Sequence, residues 1–145
     1  MDGYEISTDD ARLDRDLILA YLAGESYWAR GRTREVMDRA IGHSLNFGLY
    51  AADGAQAGYA RVVSDRTTFA WLCDVFVLEA HRGRGLGRQL VGTVIEHPEL
   101  TTIRQWHLAT ADAHGLYERV GFAPSDPAIQ MVRSKVVPDS GVVIR

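Results

Sequence analysis

Residues 81–87, His-Arg-Gly-Arg-Gly-Leu-Gly, follow an apolar run ending Val75-Phe76-Val77 and precede a segment of helical spacing. Gly83, Gly85 and Gly87 let the backbone approach a ligand closely. A helix N-terminus offers N–H groups without intrahelical partners, and Arg82, Arg84 and Arg88 add positive charge around it. That combination suits a pyrophosphate. The spacing is not a dinucleotide fingerprint, because the residue three after Gly85 is Arg88, nor a P-loop, which requires Gly-Lys-Ser/Thr after a four-residue gap. Other reactive side chains are sparse. The five histidines have no metal-ligand spacing and the single cysteine, Cys73, adds none, so no metal is expected. Cys73 reads as a small buried hydrophobe, since a nucleophilic thiol needs a base that the sequence does not reveal.

The groups must be positioned by a chain of 145 residues, 46% of them hydrophobic, which is enough for one domain with an ordinary core. The net charge of −3 argues against nucleic acid or an anionic membrane as partner, so any anion site is local. One cysteine excludes an internal disulfide. The acidic start, Met1 to Asp10, lacks the basic and apolar regions of a signal peptide, and no apolar run approaches the roughly 20 residues that span a bilayer. A soluble, cytoplasmic protein is the expectation.

No internal repeat or linker-like cluster interrupts the chain. Residues 4–7 read as a strand, and 13–23 as a helix with Leu13, Leu17, Ala20 and Tyr21 on one face. Thr33 is placed to cap a second helix whose Val36, Met37, Ala40 and Ile41 face inward. Strands follow at 45–53, 56–65 and 67–79, broken at Asp53-Gly54 and Ser64-Asp65, so three antiparallel neighbours are expected. Helical spacing returns at Leu86, Leu90, Val94 and Ile95, and a strand at 103–110 then implies a parallel crossover. A short helix over 112–120 ends at Gly121, suited to a left-handed cap. The stretches 121–124 and 128–134 are expected as closing strands. The fold class is mixed α/β (α+β): a mostly antiparallel sheet with one parallel pair and about four flanking helices.

Arg82-x-x-Gly85-x-Gly87 after Val75-Phe76-Val77 resembles the acyl-CoA motif of the GNAT N-acetyltransferase superfamily. Residues 110–122 resemble its later signature, N-x-x-A-x-x-L-Y-x-x-x-G-F, with Ala113, Leu116, Tyr117, Gly121 and Phe122 in register. The resemblance covers roughly residues 4–133 and implies a GNAT domain over 1–133 with a C-terminal tail from 134. It implies acetyl-CoA as acyl donor, without a metal, and direct transfer to a primary amine of a small molecule. Acetylation of a protein or peptide, or a CoA-binding sensor without catalysis, are the alternatives.

On the same resemblance, backbone groups of Val75, Phe76 and Val77 pair with the pantetheine arm, and the loop from Arg82 through Gly83, Arg84, Gly85, Leu86 and Gly87 to Arg88 holds the pyrophosphate. A bulge would leave the Val77 N–H free for the oxyanion, and Tyr117 would protonate the departing thiolate. Thr110 stands where the signature has Asn, the position to which the resemblance assigns a cofactor contact, and Thr can still cap the following helix. Gly115 costs a helix about 1 kcal/mol relative to Ala, which suggests a packing or functional reason. His114 reads as either a proton relay or an exposed helix residue. Strand alternation puts Cys73 with Val75 and Val77, and Asp74 with Leu72 and Phe76. Asp74 is a base through water, a handle for a cationic acceptor, or the partner of an arginine; related polyamine-type members carry Glu at the Cys73 position.

The connection of the first two helices usually walls the acceptor site in this superfamily, and here it carries Tyr27, Trp28, Arg30 and Arg32. Either the aromatics wall an acceptor whose carboxylate pairs with an arginine, or they pin the loop and the arginines are solvated. The tail from Ser134 is either disordered or pairs with a second subunit as a homodimer.

Overall fold

The computed structural model describes residues 2–136 and 143–144. Strand β1 (Glu5–Ser7) is followed by helix α1 (Arg15–Ala20), which runs into one π-helical turn over Tyr21–Glu25. Helix α2 (Arg34–Gly42) begins at Thr33, whose side chain accepts from the Val36 N–H. Strands β2 (Leu45–Tyr50), β3 (Gln56–Ser64) and β4 (Phe69–Val77) lead to helix α3 (Leu86–Ile95), strand β5 (Gln105–His107) and helix α4 (His114–Glu118). The five strands form one sheet in the order β1-β2-β3-β4-β5; every pair is antiparallel except β4 with β5. Short strands β6 (Lys135–Val136) and β7 (Val143–Ile144) pair antiparallel within the tail. No helix among the described residues is long and apolar enough to cross a membrane.

Each face of the sheet carries its own core. On one, Leu90, Val91 and Val94 of α3 pack on Phe47, Ala60, Val62, Ala70 and Leu72. On the other, Ile18 and Leu22 meet Met37 and Ile41 of α2 over Tyr59 and Phe76. The buried stripe of the first helix is therefore centred on Ile18 and Leu22 rather than on Leu13, Leu17, Ala20 and Tyr21, and Ala20 is exposed. The second helix is shorter than its apolar face: Met37 and Ile41 are buried, but Val36, expected inward, is 54% exposed.

Residues 121–134 contain no strand, contrary to the expectation at 121–124 and 128–134. Pro124 and Pro127 remove two ladder donors, and Asp126 captures the Ala128 N–H on its side chain and the Ile129 N–H on its carbonyl. A local turn thus competes with a strand, and Ile129 and Met131 remain exposed.

Gly58 fixes how closely β3 and β4 approach beside the site. A Cβ there would lie 2.7 Å from the Phe76 carbonyl oxygen, a backbone atom without room to retreat. Gly58→Ala is expected to cost about 1–3 kcal/mol in urea unfolding, the usual penalty of overpacking. Gly92→Ala, with nothing within 4 Å of the new Cβ, is the control, and inside α3 it should stabilise by about 1 kcal/mol instead.

Candidate active site

Strand β4 changes character at Asp74. Tyr59 faces Phe76 and Arg61 faces Cys73, so Ala60 alone stands opposite Asp74 and Val75. This is a β-bulge, and Asp74 carries it at φ 53°, a left-handed conformation that Asp tolerates better than most residues. The bulge overturns the expected alternation. Leu72 joins the α3 core while Phe76 joins the α1–α2 core, so residues four apart lie on opposite faces. Cys73 pairs with Arg61 and does not share a face with Val75 and Val77, which pack on the α3 side.

Beyond the bulge β4 has an open edge. Its parallel pairing with β5 stops at Trp71–His107, and from Leu72 onward the two strands part. The Leu78 N–H bonds the Ala57 carbonyl of β3 at 2.8 Å, so alternation turns the N–H and C=O of Val77 toward the open side. Arg82 Nε meets that carbonyl at 2.9 Å, and its Nη2 donates to the Tyr21 hydroxyl at 3.1 Å. Tyr21 in turn stacks on Phe76 at 4.1 Å between centroids. Arg82 is thereby held at the mouth of the gap.

The gap is a cleft of ≈ 1840 Å³ that continues to the N-terminus of α3. Gly83 and Gly85 have φ of 80° and 76°, and Gly85 is the residue that starts the helix without a side-chain cap. The first intrahelical bond of α3 is Gln89 N–H to Gly85 C=O, which leaves the N–H groups of Leu86, Gly87 and Arg88 for a ligand. Gly87 passes within 3.6 Å of Leu116 as measured from an added Cβ, so α3 packs closely on α4 there. Arg82, Gly83, Gly85, Leu86, Gly87 and Arg88 line the cleft, as do Val75, Phe76, Val77 and Thr110. Arg84 does not: it stands exposed between the two left-handed glycines.

Tyr117 of α4 lines the opposite wall, edge-on to Phe122 at 5.9 Å. Burial, with smaller contributions from Tyr27 and Asp112, pushes its phenol up to about 12, so it holds its proton throughout the neutral range. The Thr110 hydroxyl accepts from the Ala113 N–H at 3.0 Å and so shapes the turn into α4. His114 is exposed and outside the cleft lining, and nothing lies within 4 Å of a Cβ at Gly115, so no packing reason for that glycine exists among the described residues.

Asp74 is almost fully buried, at 5% exposure. Its Oδ2 accepts from Arg32 Nη1 at 2.7 Å and Arg61 Nε at 2.8 Å, and its Oδ1 from Trp28 Nε1 at 3.0 Å. Burial pushes its carboxyl up, but Arg61 and Arg32 outweigh it and hold the group below the ordinary carboxylate range. Of the three roles open to Asp74, the arginine partner is the one it occupies; a carboxylate so engaged is a weak base. Burial pushes the Cys73 thiol up, away from a reactive thiolate.

The connection between the first two helices lies against this network. Tyr27 accepts from the Ala111 N–H at 2.7 Å and meets Trp28 edge-on at 5.1 Å, so the two rings both line the cleft and pin the loop across it. Arg32 enters the cleft, whereas Arg30 is exposed and outside its lining. Sequence reasoning missed Arg61; the available signal was a charged residue in the middle of the apolar strand Tyr59–Val63.

Comparison with known proteins agrees with this architecture. Residues 44–124 match the model of the acetyltransferase (GNAT) domain, more than half of the chain. A crystal structure of a GNAT candidate acetyltransferase from Xanthomonas campestris pv. campestris is 47% identical, with a TM-score of 0.88 over 92% of this chain and 94% of that one. A GNAT acetyltransferase from Elizabethkingia anophelis, with acetyl-CoA bound, shares the fold at 20% identity and a TM-score of 0.64, over 87% and 80% of the two chains. A candidate acetyltransferase of Gibberella zeae is 31% identical over 106 residues, 61% of this chain and 60% of the relative's length. The chain belongs to the GNAT acetyltransferase family.

Proposed function

We propose that this protein transfers acetyl from acetyl-CoA directly to a primary amine of a small molecule. The observation that carries the reading is the open β4 edge from Leu72 to Val77, continuous with the free N-terminus of α3. An extended chain of pantetheine length fits beside such an edge as an added strand, and a pyrophosphate fits the first turn of α3 with Arg82 and Arg88 beside it. The acetyl-CoA bound to the Elizabethkingia relative supports the same assignment.

Acetyl-CoA supplies a thioester; the residues of this chain account for the rest. The Val77 N–H, turned to the open side, donates to the acyl oxygen as negative charge develops on it. Tyr117 holds a proton for the departing sulfur. Because Asp74 is committed to two arginines, the amine loses its proton to solvent before it attacks, and turnover rises with pH toward the amine's own pKa, near 10.

The first test is the thermal midpoint with acetyl-CoA, CoA, ATP and NAD. At about 100 times its Kd a ligand adds roughly 2.7 kcal/mol, a rise of several degrees for a chain of this size. A rise with acetyl-CoA and CoA but not with ATP or NAD is expected. No rise with either thioester or CoA, in folded protein, overturns the reading. A rise without thiol release across an amine panel assigns the protein to binding rather than catalysis.

A further inference from the structure

Two guanidinium groups in the cleft share one carboxylate. Arg32 and Arg61 both bond Asp74 Oδ2, and their side chains are only 19% and 12% exposed. Two positive charges against one negative leave one excess positive charge in a poorly solvated corner. Asp74 is engaged at both oxygens, since Trp28 donates to Oδ1. Cys73, opposite Arg61 in register, remains an uncharged thiol, and Glu25, exposed at the end of the π-helical turn where it lines the cleft, bonds neither arginine.

The arginines, by contrast, retain donors. Arg61 uses Nε on Asp74 and Nη1 on the Ser44 hydroxyl at 3.0 Å; Arg32 uses Nη1 on Asp74 and touches Met37 Sδ at 3.7 Å. Among the described residues, Arg61 Nη2 and the Nε and Nη2 of Arg32 have no hydrogen-bond partner, although both residues line the cleft. These donors still open onto the cleft, and a largely buried cation with unused, planar donors is a site for an anion.

We propose that Arg32 and Arg61 form the subsite for a carboxylate carried by the acceptor, so that the substrate class is an amino-acid-like amine. This deepens the acetyl-transfer reading and rests on it for the amine. One excess charge is neutralised by one carboxylate; a phosphate dianion leaves a buried negative charge and a polyamine adds to the positive one. Location agrees with size. Asp74 precedes Val77 by three residues, roughly 10 Å of extended strand, and the bulge shortens that span. A guanidinium reaching from one end and an amino-acid-sized acceptor from the other can bridge it. The Tyr27 and Trp28 rings beside the arginines offer an apolar wall for the substituent.

The test pairs each acceptor with its decarboxylated analogue in acetyl-CoA-dependent thiol release: L-phenylalanine with phenethylamine, L-leucine with isoamylamine, and phosphoethanolamine and spermidine as separate arms. At least tenfold higher kcat/KM for the carboxylates is expected. In Arg32→Gln that preference for the carboxylates over their decarboxylated partners should fall at least tenfold, the loss appearing in the KM of the carboxylates. Equal or better turnover of the decarboxylated amines, phosphoethanolamine or spermidine overturns the inference while leaving acetyl transfer standing. A binding measurement guards against a variant that does not fold: N-acetyl-L-phenylalanine, but not N-acetylphenethylamine, should raise the midpoint of the wild-type CoA complex. If that rise occurs without turnover of any amine, the carboxylate subsite stands and the catalytic reading falls. If neither compound raises it and no carboxylate is preferred, the subsite is refuted.

Discussion

Tyr117→Phe will lower kcat about 10²- to 10⁴-fold while leaving the thermal shift produced by acetyl-CoA unchanged. Removing the hydroxyl takes away the proton for the departing sulfur but retains the ring that packs against the α3 core and Phe122. A loss of that size corresponds to about 2.7–5.5 kcal/mol of transition-state stabilisation. Equal turnover in steady-state thiol release would remove Tyr117 from the chemistry. The pH profile provides a second check. With the phenol pushed up to about 12, the acid is fully protonated at neutral pH, and kcat/KM should climb with unit slope as the amine deprotonates. A decline on the alkaline side should begin only as the phenol itself ionises. Stability follows the same sign: a pKa above the unfolded value near 10 favours folding below that pH, and the contribution is lost as pH rises through about 12.

Asp74→Asn should destabilise the protein by about 3–5 kcal/mol, a fall in midpoint of roughly 10 °C. Asn can still accept from Trp28, but it leaves two largely buried guanidinium groups without a counter-charge. Urea unfolding at pH 7 measures the loss. A change below about 1 kcal/mol would mean that the arginines are solvated and that the network does not hold the bulge. Because the carboxyl pKa is depressed in the folded state, its stabilisation is present above the unfolded value near 3.9 and disappears as pH falls through the lower folded value. The wild type should therefore lose stability in acid, and the Asp74→Asn variant should show a flatter curve over the same window. Combining Asp74→Asn with Arg61→Met should be less than additive, since the second change removes one of the stranded charges.

Local chemistry was legible in the sequence. The alternation of Gly83, Gly85 and Gly87 announced backbone open to a ligand before a helix, and in the structure Gly83 and Gly85 adopt left-handed angles there. Thr33 announced a helix start, and the interval between the third antiparallel strand and 103–110 announced a parallel crossover; each depends on residues near one another in the chain. The short motifs at 82–87 and 110–122 carried the family resemblance for the same reason.

What the tertiary structure alone decided lies at Asp74. A bulge is a mismatch between two strands, and nothing in β4 by itself counts the residues of β3 opposite it. That mismatch moved Phe76 to the opposite face from Leu72 and turned the carboxylate toward Arg61, thirteen positions earlier, and Arg32, forty-two positions earlier. Arg30 and Arg32 look equivalent in sequence, yet only Arg32 enters the cleft. Strand alternation and motif spacing are properties of one segment, whereas the charge and proton affinity of a buried group are set by whichever segments fold around it.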